Sequence, residues 1–296
     1  MTHEPISGFL NILKPPGMSS HDVVGTVRRV LHTKKVGHAG TLDPGAAGVL
    51  PIAAGPATRL IEYLEHADKS YRAEMTLGFA TESGDDLSPV TERVEHFTMP
   101  SKEQVEAVLP RFIGEITQVP SAYSAIKIDG KRACDLVRAG KTVDIPSRQV
   151  TIHGLRLLAR REETHTLLLD VDCSRGTYIR SLCTDLGEAL GIPSVMSFLV
   201  RTRVGDFRLG GALTLEELAQ QGAEALLPPA QMLSHLPRYD LRPDRAKAFM
   251  NGLATNDWQV QNLPHTLAVY AADRFLGIGT WDEASHEIRP VKVYQA

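Results

Sequence analysis

"GHAGTLDPGAAGVLPIAAG", residues Gly37 to Gly55, sets the reading of this chain. Small residues crowd the stretch, one carboxylate stands alone at Asp43, and Pro44 follows it directly. From Val49 to Ala54 the residues form a short apolar run without alternation, the pattern of a strand buried on both faces. Ahead of that run lies a Gly-rich loop, and the single charge sits in it. Two reasons for the charge stand side by side. Asp before Pro starts turns, because the carboxylate bonds nearby backbone amides. Alternatively the group is a nucleophile, which must be held rigidly, approached closely and kept ionised. Small neighbours permit close approach. The proline fixes direction. Ionisation in a dry pocket needs a cationic partner.

Outward from the loop, local patterns place the neighbouring elements. "FLNIL" (Phe9–Leu13) reads as a strand and "KPPG" (Lys14–Gly17) as its turn. Ser19 with Asp22 three residues on signals a helix start, and Val23, Val24, Val27, Val30 and Leu31 give that helix one apolar face. After the loop, Leu60, Ile61 and Leu64 point to a short helix. At Tyr71 the period changes: Tyr71, Ala73, Met75 and Leu77 alternate with Arg72, Glu74 and Thr76, as in a half-buried strand. A polar loop "TESGDDLSP" follows, then an amphipathic helix through Val105, Val108, Leu109, Phe112 and Ile113. "VTIHGLRLLAR" and "TLLLDVDCS" read as two strands joined at "REE". "RGTYIRSLCTDLGEALG" reads as a helix with Ile179, Leu182, Cys183, Leu186 and Leu190 buried, stopped by Gly191 and Pro193. "VMSFLVRTRVG" is a further strand, and Thr214–Glu217 opens another helix with a capping box. Near Leu236 the texture changes to short strands, "TLAVYAAD" and "FLGIGTW", as in a small mostly-β domain. Strands mixed irregularly with helices predict an α+β fold.

Composition narrows the class. With 296 residues, 43% of them hydrophobic, the chain can bury a large core, in one large domain or one large plus one small. No apolar run is long enough for a membrane span and no signal-peptide pattern opens the sequence. Three cysteines, Cys134, Cys173 and Cys183, without metal-type spacing point to reduced thiols and a cytoplasmic protein. The net charge of -3 does not by itself suggest a nucleic-acid binder. Its distribution is uneven: residues 82–106 are mainly acidic. Residues 127–148 carry Lys127, Lys131, Arg132, Arg138, Lys141 and Arg148 against Asp129, Asp135 and Asp144. That basic segment is either a solvated face or a surface for phosphates.

Familiar chemistries drop out in turn. The Gly37–Gly48 loop lacks the Lys-Ser/Thr pair of a phosphate loop, and "LGIG" lacks the third glycine of a dinucleotide fingerprint. No His or Cys pair has metal spacing, so no metal site is expected. Asp85 and Asp86 lack the further oxygen ligands of a calcium loop and read as a solvated acidic loop. Arg180 lies beside the buried stripe of its helix, and is either a partner for Asp43 or a solvated helix residue.

Four segments together carry a resemblance. "HAGTLDPGAAGVLPIAAG" resembles the catalytic motif of the pseudouridine synthases. "LNILKPPGMSSHDVV" is similar to their lysine-proline motif, "DKSYRAEMTLGFATES" to the tyrosine-bearing strand and "CSRGTYIRSLCTDLGEALG" to the arginine motif. In this order, from about Gly8 to Arg203, they resemble the branch that acts on uridine 55 of the tRNA T-loop. The resemblance implies a mixed, mainly antiparallel central sheet flanked by helices. It implies a catalytic domain over residues 1–236 with a basic arm at about 124–148, and a small PUA-like RNA-binding domain over 237–296. "RAKAFMNGL" and "DRFLGIGTW" carry that last likeness loosely. Asp43 then matches the nucleophile, Tyr71 the tyrosine that stacks near the target uracil and moves a proton, and Arg180 the arginine paired with the aspartate. Tyr178 and Leu199 match residues lining the uracil pocket, His38 the histidine that enters the T-loop, and Lys14 and Pro15 the supporting motif. "TESGDDLSPV" departs from the family pattern, so Asp85 and Asp86 receive no role. The implied reaction needs no cofactor. The implied partner is the tRNA T-arm, met by a monomer without an obligatory protein partner or a membrane. Rival readings are a non-catalytic RNA chaperone, a synthase for another RNA, and a metabolic enzyme with no nucleic-acid partner.

Overall fold

The computed structural model describes residues 6–295 apart from 66, 125 and 129. Asp129 of the basic segment, and the side chains of Lys127, Arg132 and Arg138, therefore lie outside the described residues. The chain forms two compact units, one of Met1–Pro44, Gly48–Ala67 and Arg203–Ala296, the other of Gly45–Ala47 and Asp68–Thr202.

In the first unit the strand Gly8–Lys14 pairs antiparallel with Ala47–Ala54, Phe9 opposite Ala53 and Lys14 opposite Gly48. A short strand, Val36–His38, also pairs with Ala47–Ala54, placing His38 opposite Ile52. All eight residues of Ala47–Ala54 are buried, which is why its sequence shows no alternation. Leu10, Ile12, Leu50 and Ile52 pack against Val23, Val24 and Val27 of the helix Ser20–Val30. Phe9, Val49 and Ala53 pack the other way, among Leu60, Leu64 and Phe207. The expected capping box is formed, with Ser19 and Asp22 each bonding the other's backbone. Packing also explains a glycine at the end of the opening stretch. Gly55 has φ +61, and a Cβ there would lie 1.9 Å from the Ile6 carbonyl oxygen. No side chain fits at that position.

The first unit also holds a separate small sheet in the order Arg238–Asp240, Thr266–Ala271, Arg274–Asp282, Glu287–Val293, Thr255–Asn256. It has its own core of Tyr239, Phe249, Leu267, Val269, Trp281 and Ile288. Two of its strands contain "TLAVYA" and "FLGIGTW", as expected. Glu287–Val293 was not legible. It is charged, only Ile288 is fully buried, and Pro290 sits beside a register shift opposite Gly279.

In the second unit five strands lie in the order Ser194–Val204, Lys69–Leu77, Thr166–Cys173, Arg148–Arg161, Gly114–Gln118. Tyr71, Ala73, Met75 and Leu77 are buried as their alternation predicts, and Tyr71 faces Val171 across the ladder. Arg72 points outward and bonds Asp170 at 2.9 Å. The helix Ile179–Leu190 buries Ile179, Leu182, Cys183 and Leu186 as expected, and Gly191 closes it at φ 72. One expectation fails in detail. The α-helix Lys102–Val108 gives way to a tighter turn at Leu109–Phe112, and Ile113 lies beyond it in extended conformation, 46% exposed. Pro110 cannot continue the α-helical hydrogen bonding.

Gly8–Lys14 with Ala47–Ala54, and Lys69–Leu77, Thr166–Cys173, Arg148–Arg161 and Gly114–Gln118 in turn, pair antiparallel, while Arg238–Asp240 runs parallel to Thr266–Ala271. The fold is thus α+β, with a mixed, mainly antiparallel sheet, flanking helices and a small separate sheet. All three cysteines are free thiols. Burial pushes the Cys183 thiol up to about 12 and the Cys173 thiol up to about 11. Among the described residues no helix is long and apolar enough to cross a membrane. Leu50 is fully buried between strand and helix. Leu50→Ala is expected to destabilise the chain by about 3 kcal/mol, seen as a lower urea midpoint at unchanged slope.

Candidate active site

Asp43 lies in the loop between Val36–His38 and Ala47–Ala54, and the residues on both sides of it are tied down. Lys14 ends the strand Gly8–Lys14 with 0% exposure, unusual for lysine. Its ammonium donates to the carbonyls of Met18 at 2.6 Å, Pro15 at 2.9 Å and Pro44 at 3.2 Å. The Gly17 N–H donates to the same Pro44 carbonyl at 2.8 Å. On the other side, Ser20 Oγ accepts from the Leu42 N–H at 3.0 Å and donates to the Leu42 carbonyl. The "KPPGMSS" turn is thereby sewn to Leu42 and Pro44, and Asp43 stands between two anchored residues. His38 is half-buried at the end of its strand.

In the second unit, Tyr71 and Leu199 are both buried and lie on neighbouring strands. The Tyr71 hydroxyl is hydrogen-bonded to Arg201, which is fully buried. Tyr178 is half-buried and immediately precedes the helix Ile179–Leu190. Its N–H donates to Gln118 Oε1 at 3.0 Å and its carbonyl accepts from Gln118 Nε2 at 3.2 Å. Arg148, the last of the basic segment, opens the strand Arg148–Arg161 and holds its guanidinium 5.5 Å from the Tyr178 ring centroid.

Arg180 is 6% exposed, so the reading of it as a solvated helix residue does not hold. Its Nη1 donates to the Ser83 carbonyl at 3.1 Å and to Asp85 at 3.4 Å, and its Nη2 to the Tyr123 carbonyl at 3.4 Å. This also corrects the reading of the acidic loop. Asp85 has only 19% side-chain exposure and accepts from Ser83 Oγ at 2.7 Å and the Leu87 N–H at 3.1 Å. It is a structured counter-charge for a buried guanidinium. Beside it, burial first and then the Asp85 charge raise the Asp86 carboxyl above its usual range. A cavity of about 210 Å³ opens here, lined among others by Glu82, Ser83, Arg180, Thr184 and Asp185. Burial, with a smaller push from Glu188, raises Asp185 to about 6.

Sequence reasoning missed three residues: Asp85, Gln118 and Arg201. Arg201 carried a signal, since it shares strand parity with Leu199 and both side chains are buried. Asp85 and Gln118 gave none, because each is defined by a partner distant in sequence, Arg180 and Tyr178. Among the described residues no group of three His, Cys, Asp or Glu side chains is placed to hold a metal ion.

A loop aspartate held by a buried lysine, and a buried arginine opening a helix, lie on segments that match one family throughout. Residues 28–179 match the TruB family pseudouridylate synthase N-terminal domain, and residues 180–233 the tRNA pseudouridylate synthase B C-terminal domain. The chain belongs to the TruB family of pseudouridylate synthases. It is therefore an isomerase. The tRNA pseudouridine synthase B of Heliobacterium mobile is 48% identical over 254 residues, 84% of this chain and 81% of that protein. The tRNA pseudouridine synthase B of Caldanaerobacter subterraneus subsp. tengcongensis is 42% identical over 293 residues, 98% of this chain and 99% of that protein. In three dimensions the chain resembles a solved Cbf5-Nop10-Gar1 complex, with TM-score 0.73 and 28% identity over 98% of this chain and 84% of that one.

Two measurements test this TruB-family site. Lys14→Met removes the donor shared by three carbonyls, of which only that of Pro44 keeps the Gly17 N–H described above, and is expected to cost roughly 2–4 kcal/mol by urea unfolding. Asp185 has a folded-state pKa of about 6 against an ordinary 3.8, so between those values the folded chain binds more protons than the unfolded one. Wild-type stability is expected to fall as pH rises through that window, and in Asp185→Asn this part of the fall is absent. Thermal midpoints of both chains from pH 3.5 to pH 7 make the comparison.

Proposed function

We propose that the chain converts uridine 55 in the T-loop of tRNA to pseudouridine, with Asp43 as the nucleophile. The observation that carries this reading is how Asp43 is held, with Pro44 fixed by a buried ammonium and Leu42 by Ser20. A carboxylate serving only a surface turn needs no such anchoring. Substrate choice rests on relatives that bear the name tRNA pseudouridine synthase B over most of their length.

The reaction breaks the bond from ribose C1' to N1 of uracil, turns the ring, and joins C1' to C5. C5 gives up a proton and N1 carries one in the product, so atoms and electrons balance within one nucleotide. A nucleophile and a proton carrier suffice for such a step. Asp43 supplies the first and Tyr71 the second, while Tyr71 also stacks near the uracil. Arg180 supplies the cation of the site, held by the Ser83 carbonyl and Asp85. Tyr178 and Leu199 line the base, and Lys14 and Pro15 support the loop. The target base must leave its stack, at a cost of a few kcal/mol, before Asp43 reaches it. His38 entering the T-loop and the aromatic rings of Tyr71 and Tyr178 offset that cost. We assign catalysis to residues 1–236, contact with T-stem phosphates to the basic arm at about 124–148, and further RNA contact to a PUA-like domain at 237–296. The chain acts as a cytoplasmic monomer.

Tritium release from a T-arm stem-loop labelled at C5 of uridine 55 tests the proposal. Wild type is expected to release tritium and Asp43→Asn to release none, although both bind the stem-loop with an affinity that falls with salt. Release by Asp43→Asn removes Asp43 as nucleophile. Binding without release by wild type points to a chaperone role or to another RNA.

A further inference from the structure

Arg201 is 1% exposed and heads the fully buried side chains by size. A guanidinium taken out of water loses several kcal/mol of hydration, and an apolar side chain of similar volume serves a core at least as well. Burial pulls Arg201 below its usual range, while the Tyr71 hydroxyl pulls it back. Tyr71 lies on Lys69–Leu77 and Arg201 on Ser194–Val204, neighbouring strands of one sheet. A guanidinium has five donors, no acceptor and no accessible neutral form. In its bond to Tyr71 it must therefore donate, and the phenol oxygen must accept. The phenol keeps its own proton, which is then directed away from the guanidinium.

We infer that Arg201 is a positioning residue for the isomerisation, holding the Tyr71 ring and aiming its hydroxyl proton. The inference rests on the proposed role of Tyr71 as proton carrier. The buried cation also favours negative charge on the phenol oxygen at the moment Tyr71 gives its proton away. In this scheme Arg201 acts on the reaction through Tyr71.

A double-mutant cycle on the full chain, read by tritium release with T-arm stem-loop, tests it. Tyr71→Phe removes the hydroxyl and is expected to lower kcat by about 100-fold or more, within the usual range for a proton carrier. Arg201→Met is expected to lower kcat by a comparable factor with KM changed by less than about threefold. In the double variant the losses do not multiply, since the hydroxyl on which Arg201 acts is already gone. Arg201→Lys, which restores a buried donor, recovers part of the kcat lost in Arg201→Met. Urea unfolding checks that each variant is folded. If Arg201→Met is not, the same cycle with Arg201→Gln decides, because the amide keeps a donor in the core. Multiplying losses, an unchanged kcat in the folded Arg201 variant, or a loss confined to KM overturns the inference. A Tyr71→Phe chain with wild-type kcat instead overturns the role given to Tyr71, a result distinguishable from the others.

Discussion

The Lys14 ammonium leaves water entirely and replaces its lost hydration with the carbonyl oxygens of Pro15, Met18 and Pro44. A buried lysine without such oxygens would give up its proton or unfold its surroundings. The charge therefore dictates the path of the chain around it. It ends the first strand, folds "PPGM" into a tight turn, and pulls the loop after His38 back until Pro44 lies within reach. The capping box at Ser19 then starts the next helix from that turn, and Ser20 takes hold of Leu42. Asp43 inherits its fixed position from this set of bonds.

The second unit repeats the device with arginine. Arg180 satisfies its guanidinium on the carbonyls of Ser83 and Tyr123 and on Asp85, and thereby orders the loop after the tyrosine strand. Arg201 is buried against the Tyr71 hydroxyl. Arg180 takes its partners from segments far away in sequence, and Lys14 likewise reaches Pro44 across 30 residues. Charge inside a TruB-family chain with a formal net charge of -3 is thus used for position. The outward salt bridges, such as Arg72 with Asp170, add little stability by comparison.

The small sheet from Arg238 to Val293 follows different physics. Its core of aromatic and branched side chains closes over five short strands without a buried cation among the residues that form it. Trp281, Phe249 and Tyr239 are its largest side chains, and bulges at Tyr270 and Gly279 twist the ladder.

What the sequence by itself determined is whatever depends on near neighbours. The strand Ala47–Ala54 was legible because a strand covered on both faces needs an unbroken apolar run. The Tyr71 strand was legible from its period of two, and the helices from their caps at Ser19 and Thr214 and the glycine stop at Gly191. The motif order also pointed to Asp43, Tyr71 and Arg180, though not to what surrounds them. Only the tertiary structure decided the partners. Asp85 read as a solvated acid until Arg180 lay against it, and Arg201 received no reading until it proved to be bonded to Tyr71. The strand Glu287–Val293 paired in spite of its charges and its proline. A local pattern records which face of an element meets the core. A hydrogen bond across 95 residues, like that of Arg180 with Asp85, records only that the chain has closed.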